Sequence, residues 1–242
     1  RWMLVSIPGL VLIATVTWAV AGWRTPPLLS ERDTVLLADV ANSTGDAAFD
    51  GTLRLALAVE LGQAPFLRML SDEHMRAALA RTGLPHAQPV VGAIALDVCR
   101  REGAAVMLAA SVSRFDTRYA VGIEATACAS GESIARELVE VDRKDRVVAA
   151  LGEAAARMRR TLGESRESLQ TYDVPIVEAT TPSLEALQAL SVGDFNRDHA
   201  RLPEARTFYR RATELDPQFA LAWARRGAAA HNLGRTEEEI PS

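Results

Sequence analysis

AVMLAASVSRFDTRYAVGIEATACASGESIARELVEV (residues 105–141) is the stretch that decides the fold. Ala105 to Val112 is a continuous apolar run of the buried-strand type. Tyr119 to Ala127 alternates apolar and polar residues, and Ser133 to Val141 does the same after the turn-forming Ser130-Gly131. Three such runs with short connections predict an antiparallel meander. Immediately downstream, the spacing of Val147, Leu151, Ala154, Ala155, Met158 and Leu162 predicts a long amphipathic helix from about Lys144 to Leu162. Those six residues face the core, while Glu153, Arg157, Arg159 and Arg160 occupy the solvated side.

Upstream, Thr34 to Val40 (TVLLADV) reads as a strand, followed by the turn-prone Asn42-Ser43-Thr44-Gly45-Asp46. Asp50 is placed to cap a helix from Gly51 to about Gln63, with Leu53, Leu57 and Leu61 on one face. Phe66 to Leu70 predicts a second short strand, Asp72 to Arg81 a short helix, and Pro89 to Glu102 another that Gly103 closes. Together these elements predict a small mixed-sheet α/β or α+β domain over 34–164, with helices packed on the sheet.

Asp39, Asn42, Ser43, Thr44, Gly45 and Asp46 lie where ligands often bind in open α/β sheets, at the end of the first strand. Neither a G-x-G-x-x-G nor a G-x-x-x-x-G-K-[ST] cradle is present, and turn chemistry accounts for the residue types. His74 and His86 have no neighbouring nucleophile in sequence, and there is no G-x-S-x-G elbow. No catalytic, cofactor-binding or metal-binding residue is therefore expected. Cys99 and Cys128 are too few for a disulfide scaffold and lack zinc-ligand spacing. They are expected either to pair with each other, one on a helix and one at a strand end, or to pack as small buried hydrophobes.

The flanks differ from this domain. Between Arg1 and Arg24, WMLVSIPGLVLIATVTWAVAGW carries no charge and at helical rise is about 33 Å long, enough to cross a bilayer core. It predicts a single-pass transmembrane helix over 1–24, with Trp2 at one interface and Trp18 and Trp23 at the other. A cleaved signal peptide ending near Ala19-Val20-Ala21 is the alternative. A linker over 25–33 starts at Thr25-Pro26-Pro27.

At the other end, after a linker over 165–182, residues 183–242 match an all-α tetratricopeptide pattern. Gly193, Ala205, Tyr209, Ala212 and Pro217 fit one unit and Trp223 and Gly227 the start of an incomplete second, with Gly193 and Gly227 34 residues apart. Asn196, Arg197 and His199 on the first unit, with Arg225 and Arg226 on the second, are candidate partner contacts, since arginine offers forked donors to carboxylates.

Composition narrows the partners. The chain has 242 residues and a net charge of −4, with acids and bases interspersed. No basic stripe exists to neutralise a phosphate backbone, so nucleic acid is not an expected partner.

The strings LLADVANSTGDAAFDGTLRLALAVELGQAPFLRMLSD (36–72), VCRREGAAVMLAASV (98–112), GIEATACASGE (122–132) and TTPSLEALQALSVG (180–193) resemble the extracytoplasmic part of bacterial membrane-anchored serine/threonine kinases. That family places a small α/β domain and tetratricopeptide repeats after one transmembrane helix. The resemblance implies inner (cytoplasmic) membrane anchoring with the C-terminal domains in the periplasm. The kinase signatures themselves are absent, so no enzyme activity is expected. The expected function is a non-catalytic scaffold or accessory subunit that stabilises a larger membrane complex, respiratory or photosynthetic. Its expected partners are the other subunits and the lipid bilayer. The alternative is the sensor ectodomain of a transmembrane kinase whose catalytic domain lies upstream.

Overall fold

The computed structural model describes residues 28–29, 33–82 and 89–232. Its centre is a six-stranded mixed sheet built from β1 (Thr34–Leu37), β2 (Ala41–Ser43), β3 (Arg68–Met69), β4 (Val106–Phe115), β5 (Arg118–Ala127) and β6 (Ser133–Val141). The spatial order is β3-β1-β4-β5-β6, with β2 also paired to β4. β1 runs parallel to β3 and β4, whereas β4, β5 and β6 form an antiparallel meander. The β4–β5 reversal is a two-residue turn between Phe115 and Arg118, in which Asp116 takes a left-handed φ of 55°.

β1 and β2 are one strand interrupted by a bulge. Leu37 lies opposite Leu108 and Ala41 opposite Ser111, so Ala38, Asp39 and Val40 face only Ala109 and Ala110 on β4. The extra residue bends the strand and re-aims the side chains beside it.

Successive side chains on a strand point to opposite faces, and the core obeys that alternation. Val35 and Leu37 join Val106, Leu108, Val121 and Ile123 under α1 (Thr52–Gly62) and α4 (Val147–Leu162). Leu36, Ala38 and Met107 face the other way, under α2 (Asp72–Thr82) and α3 (Gly92–Arg101). A disulfide between Cys99 on α3 and Cys128 just beyond β5 closes this second layer, with the Cα atoms 5.7 Å apart.

After α4 the chain forms α5 (Arg166–Tyr172) and α6 (Ile176–Ala179), then α7 (Leu184–Asp198), α8 (Leu202–Leu215) and α9 (Ala220–Asn232). Two glycines permit close approaches here. A Cβ on Gly152 would fall 2.7 Å from Ile176, and one on Gly193 would fall 2.5 Å from the Tyr209 ring. One hydrophobic cluster runs unbroken from Val35 and Ile123 through Leu57 and Leu151 to Leu187, Tyr209 and Phe219. The α7–α8 hairpin is thus seated on the core of the sheet.

Several expectations are corrected. Segment 1–24, with Trp2, Trp18 and Trp23, lies outside the described residues, as does His86. Among the described residues no helix is long and apolar enough to cross a membrane. A tetratricopeptide array does not describe the C-terminal region either. Stacked repeats bury their faces on neighbouring repeats, whereas α7 packs against α1, with the Ser191 hydroxyl only 2.9 Å from where a Cβ on Gly51 would sit. The described residues hold one hairpin and a single further helix. Asp50 does not cap α1. Gly51, at φ 70°, is the N-cap, and Asp50 instead accepts a hydrogen bond of 2.7 Å from Asn42 Nδ2.

Arg159, placed by its sequence on a solvated helix face, is the largest fully buried side chain among the described residues. Its Nε and Nη2 donate to the two oxygens of Glu164 at 2.6 and 2.9 Å, and Nη1 donates to Asp173 at 2.9 Å and to Glu60 Oε1 at 3.3 Å. Gln63 clamps the same region. Its side chain donates to the Val174 carbonyl at 3.0 Å and accepts from the Val174 amide at 2.9 Å. Burial, and then the neighbouring Asp173 charge, raise Glu60 from 4.5 to about 7 against the opposing pull of Arg159.

Truncation of Arg159 leaves buried carboxylates without their cation, so Arg159→Ala is expected to cost about 3–5 kcal/mol in urea-unfolding free energy. A folded-state pKa above the unfolded value stabilises fully below the unfolded pKa and loses that contribution as pH rises through the folded one. The Glu60 contribution is therefore complete below about pH 4.5, falls on the way to about pH 7, and is flat above. Glu60→Gln is expected to remove that decline, seen as a difference between the two proteins' stability-versus-pH curves between those limits.

Candidate functional site

The bulge between β1 and β2 delivers Asp39 to a charged cleft between the sheet, α1, α2 and α7. Asp39 first secures the segment entering α3. Its Oδ2 accepts from the Val90 amide at 2.7 Å, and its own amide donates to the Val90 carbonyl at 3.0 Å. Arg54, projecting from α1, stands between two carboxylates, 3.0 Å from Asp39 and 2.6 Å from Asp72. The Asp39 contact is an ion pair, because Arg54 Nε lacks an aligned hydrogen bond. Burial acts to lower Arg54, but the Asp72 bond and charge carry it above the ordinary arginine value. Asp72 is held below the usual carboxylate range, its burial outweighed by Arg54.

Farther along the cleft, Asp194 Oδ1 is a hub. It accepts from Tyr209 Oη at 2.8 Å and Arg197 Nη1 at 2.7 Å, and Arg225 Nε lies 3.2 Å away. Burial, then the bond to Asp194, raise the Tyr209 phenol well above its usual value. Two adjoining hollows of about 360 and 160 Å³ form the cleft, lined by Asp39, Asp72, Asp194 and Asp198 and by Arg54, Arg76, Arg197 and Arg225. Four carboxylates and four guanidiniums balance, and their mutual pairing joins α1, α2, α7 and α9 across the hollow. A charged ligand entering here has to displace an internal ion pair.

The structure separates the sequence-predicted contacts. Asn196 is buried, and its Nδ2 donates to the Val192 carbonyl one turn back at 2.8 Å, so it presents nothing to a partner. Arg197 and Arg225 converge on Asp194. His199 stacks on Phe195 at 4.2 Å between ring centroids, with Nδ1 2.7 Å from the Phe195 carbonyl oxygen. Arg226 lies 5.0 Å above the Trp223 ring and donates to Thr213 Oγ1 at 3.1 Å. The turn residues Asn42, Thr44 and Asp46 bond one another, and Asn42 Oδ1 accepts from the Thr44 amide and hydroxyl at 3.0 and 2.7 Å.

A second surface escaped sequence reasoning. The outward side of α9, with Gln218, Ala220, Trp223, Ala224, Gly227, Ala228, His231 and Asn232, lines an open, largely apolar groove of about 810 Å³. Trp223 is fixed in it, its Nε1 donating to the Pro217 carbonyl at 2.9 Å. A Cβ on Gly227 would meet nothing within 4 Å among the described residues. The signal was present as Trp223 and the small residues beyond it at helical spacing.

No family model matches the chain, and no curated protein does. Among solved structures, the LpoB C-terminal domain from Salmonella enterica is similar at 19% identity with a TM-score of 0.44, over 48% of this chain and 86% of that one. The LpoB C-terminal domain from Escherichia coli gives 18% and 0.44, over 53% and 94%. Lipoprotein GNA1162 from Neisseria meningitidis gives 12% and 0.38, over 46% and 80%. These similar structures are LpoB domains and a lipoprotein and not kinase ectodomains, so the resemblance to membrane-anchored kinases is not borne out. The single-pass inner-membrane placement that came with it is not borne out either: its expected span over 1–24 lies outside the described residues, and among the described residues no helix is long and apolar enough to cross a membrane.

Asp194→Ala strips one acceptor from Tyr209, Arg197 and Arg225 at once. It is expected to destabilise the fold by about 1–3 kcal/mol in urea titration, with α9 amides losing hydrogen-exchange protection before those of the sheet.

Proposed function

We propose that this chain is a non-catalytic accessory protein that acts by binding another protein through the open face of α9. The observation that carries this is the fixed Trp223 set among exposed Ala224 and Ala228, with space at Gly227 that no described residue fills. An immobilised tryptophan beside small residues suits a helix laid into a groove, and anchored aromatic residues supply much of the energy in protein interfaces. The charged cleft supports the non-catalytic part of the proposal, because its carboxylates are engaged by arginines and none stands free as an acid or base. The Cys99–Cys128 disulfide supports action in a compartment oxidising enough to keep that bond. The finer expectation, that the bound protein belongs to a respiratory or photosynthetic membrane assembly, stays within this proposal.

The test is retention of native partners by the tagged full-length chain in mild detergent, with mass-spectrometric identification. Ala228→Glu and Trp223→Ala are expected to lower partner yield at least tenfold while circular dichroism stays unchanged. The same partners at unchanged yield would move binding away from α9.

A further inference from the structure

β6 ends the sheet, and among the described residues no other strand pairs with its outer side. Its odd-numbered residues Ala135, Val139 and Val141 pack on the main core. Arg136, Leu138 and Glu140 alternate with them and occupy the opposite face. Leu138 is 56% exposed at this edge, and Phe115 at the end of β4, on the same face, is 68% exposed. Behind it on β5 stands Gly122, where even a Cβ would sit 3.7 Å from Leu138 Cδ1, so the leucine lies over a position without a side chain. Long, open edge strands template pairing with further strands, and natural edges usually carry lysine, proline or a bulge to prevent it. β6 carries one irregularity against β5, at Ile134 near its start, and from Ala125–Ala135 to Tyr119–Val141 the register is regular and the stretch holds neither lysine nor proline.

The pattern Arg136-x-Leu138-x-Glu140 is self-complementary. In an antiparallel pairing centred on Leu138, Leu138 meets its own copy, Arg136 meets Glu140 of the second copy, and Glu140 meets its Arg136. On the helix-covered face Glu137 meets Val139, and Ala135 meets Val141. Residues directly opposite across an antiparallel pair interact closely, opposite charges favourably and like charges unfavourably. A two-fold axis through Leu138 thus satisfies every charged position on the open face, a match a heterologous strand would have to reproduce by chance. Arg136 already reaches Glu124 within its own sheet at 2.8 Å, which holds its guanidinium over this face.

We propose that β6 pairs antiparallel with β6 of a second copy of this chain, about a two-fold axis at Leu138, making one continuous sheet through both subunits. Closed two-fold contacts of this kind are isologous, so the contact stops at a dimer.

The experiment is sedimentation equilibrium of the full-length chain in density-matched detergent, with variants Arg136→Glu and Glu140→Arg studied separately and mixed. Each variant alone sets like charges opposite one another at both ends of the contact, and dimer affinity is expected to fall roughly tenfold or more. In the mixture, Glu at position 136 meets Arg at position 140 and the native pair remains at the other end. An equimolar mixture is expected to restore a dimer containing one copy of each, read by differential labelling. Restoration also shows that both variants fold. A wild-type chain that stays monomeric across the concentration range overturns the proposal, even if the variants lose capture of some other protein. Dimers of unchanged affinity in the single variants, or no recovery on mixing, overturn it as well.

Discussion

The guanidinium of Arg159 cannot reach water, so protein groups must answer its charge, and the molecule is arranged to supply them. Glu164 closes the turn at the end of α4 with a two-pronged pair, Asp173 returns from the far end of α5, and Glu60 reaches over from α1. The cation thereby fixes the path of residues 164–173 relative to both helices. Three carboxylates exceed one cation, and burial, followed by the neighbouring Asp173 charge, raises the pKa of Glu60. Geometry of this kind constrains direction as well as energy, because a bidentate pair tolerates little rotation.

Residues 174–219 inherit that direction. Val174 is held by Gln63, Ile176 drops into the space left by Gly152, and Thr181 Oγ1 donates to Asp216 at 2.5 Å, tying the start of the hairpin to its end. α7 then arrives against α1 with Leu187 and Leu190 buried, and Gly193 admits the Tyr209 ring. The sheet and the helical end share one hydrophobic cluster because the ionic joint sets them at contact distance.

The mixed sheet with helices on it was legible from periodicity, since Val35 and Leu37 alternate with Leu36 and Ala38 between two cores, and the α4 stripe from Val147 to Leu162 is buried throughout. Arg159 was not legible. It shares a helix face with Ala155 and Leu162, one turn to either side, but arginine reads as solvated, and two of its partners, Glu60 and Asp173, are distant in sequence. The bulge at Asp39 was hidden for a related reason. One extra residue becomes visible only when a strand is set against its partner, and β4 lies some seventy residues downstream. The candidate contacts at 196–199 and 225–226 were chosen by residue type. Whether an arginine is free depends on which carboxylate the fold brings near, and Asp194 takes Arg197 and Arg225.

The same logic separates surfaces used internally from those left over. In the cleft, opposite charges meet in equal number and hold four helices together, so its polarity is that of a joint. The α9 groove and the outer edge of β6 have the reverse character: apolar atoms and ladder positions that no described residue covers. Exposed apolar groups on a well-packed core cost free energy in isolation and are stabilised when covered. A chain that buries even an arginine with matched partners, yet leaves Leu138 and the small-residue face of α9 open, concentrates its unsatisfied surface where other protein can complete it.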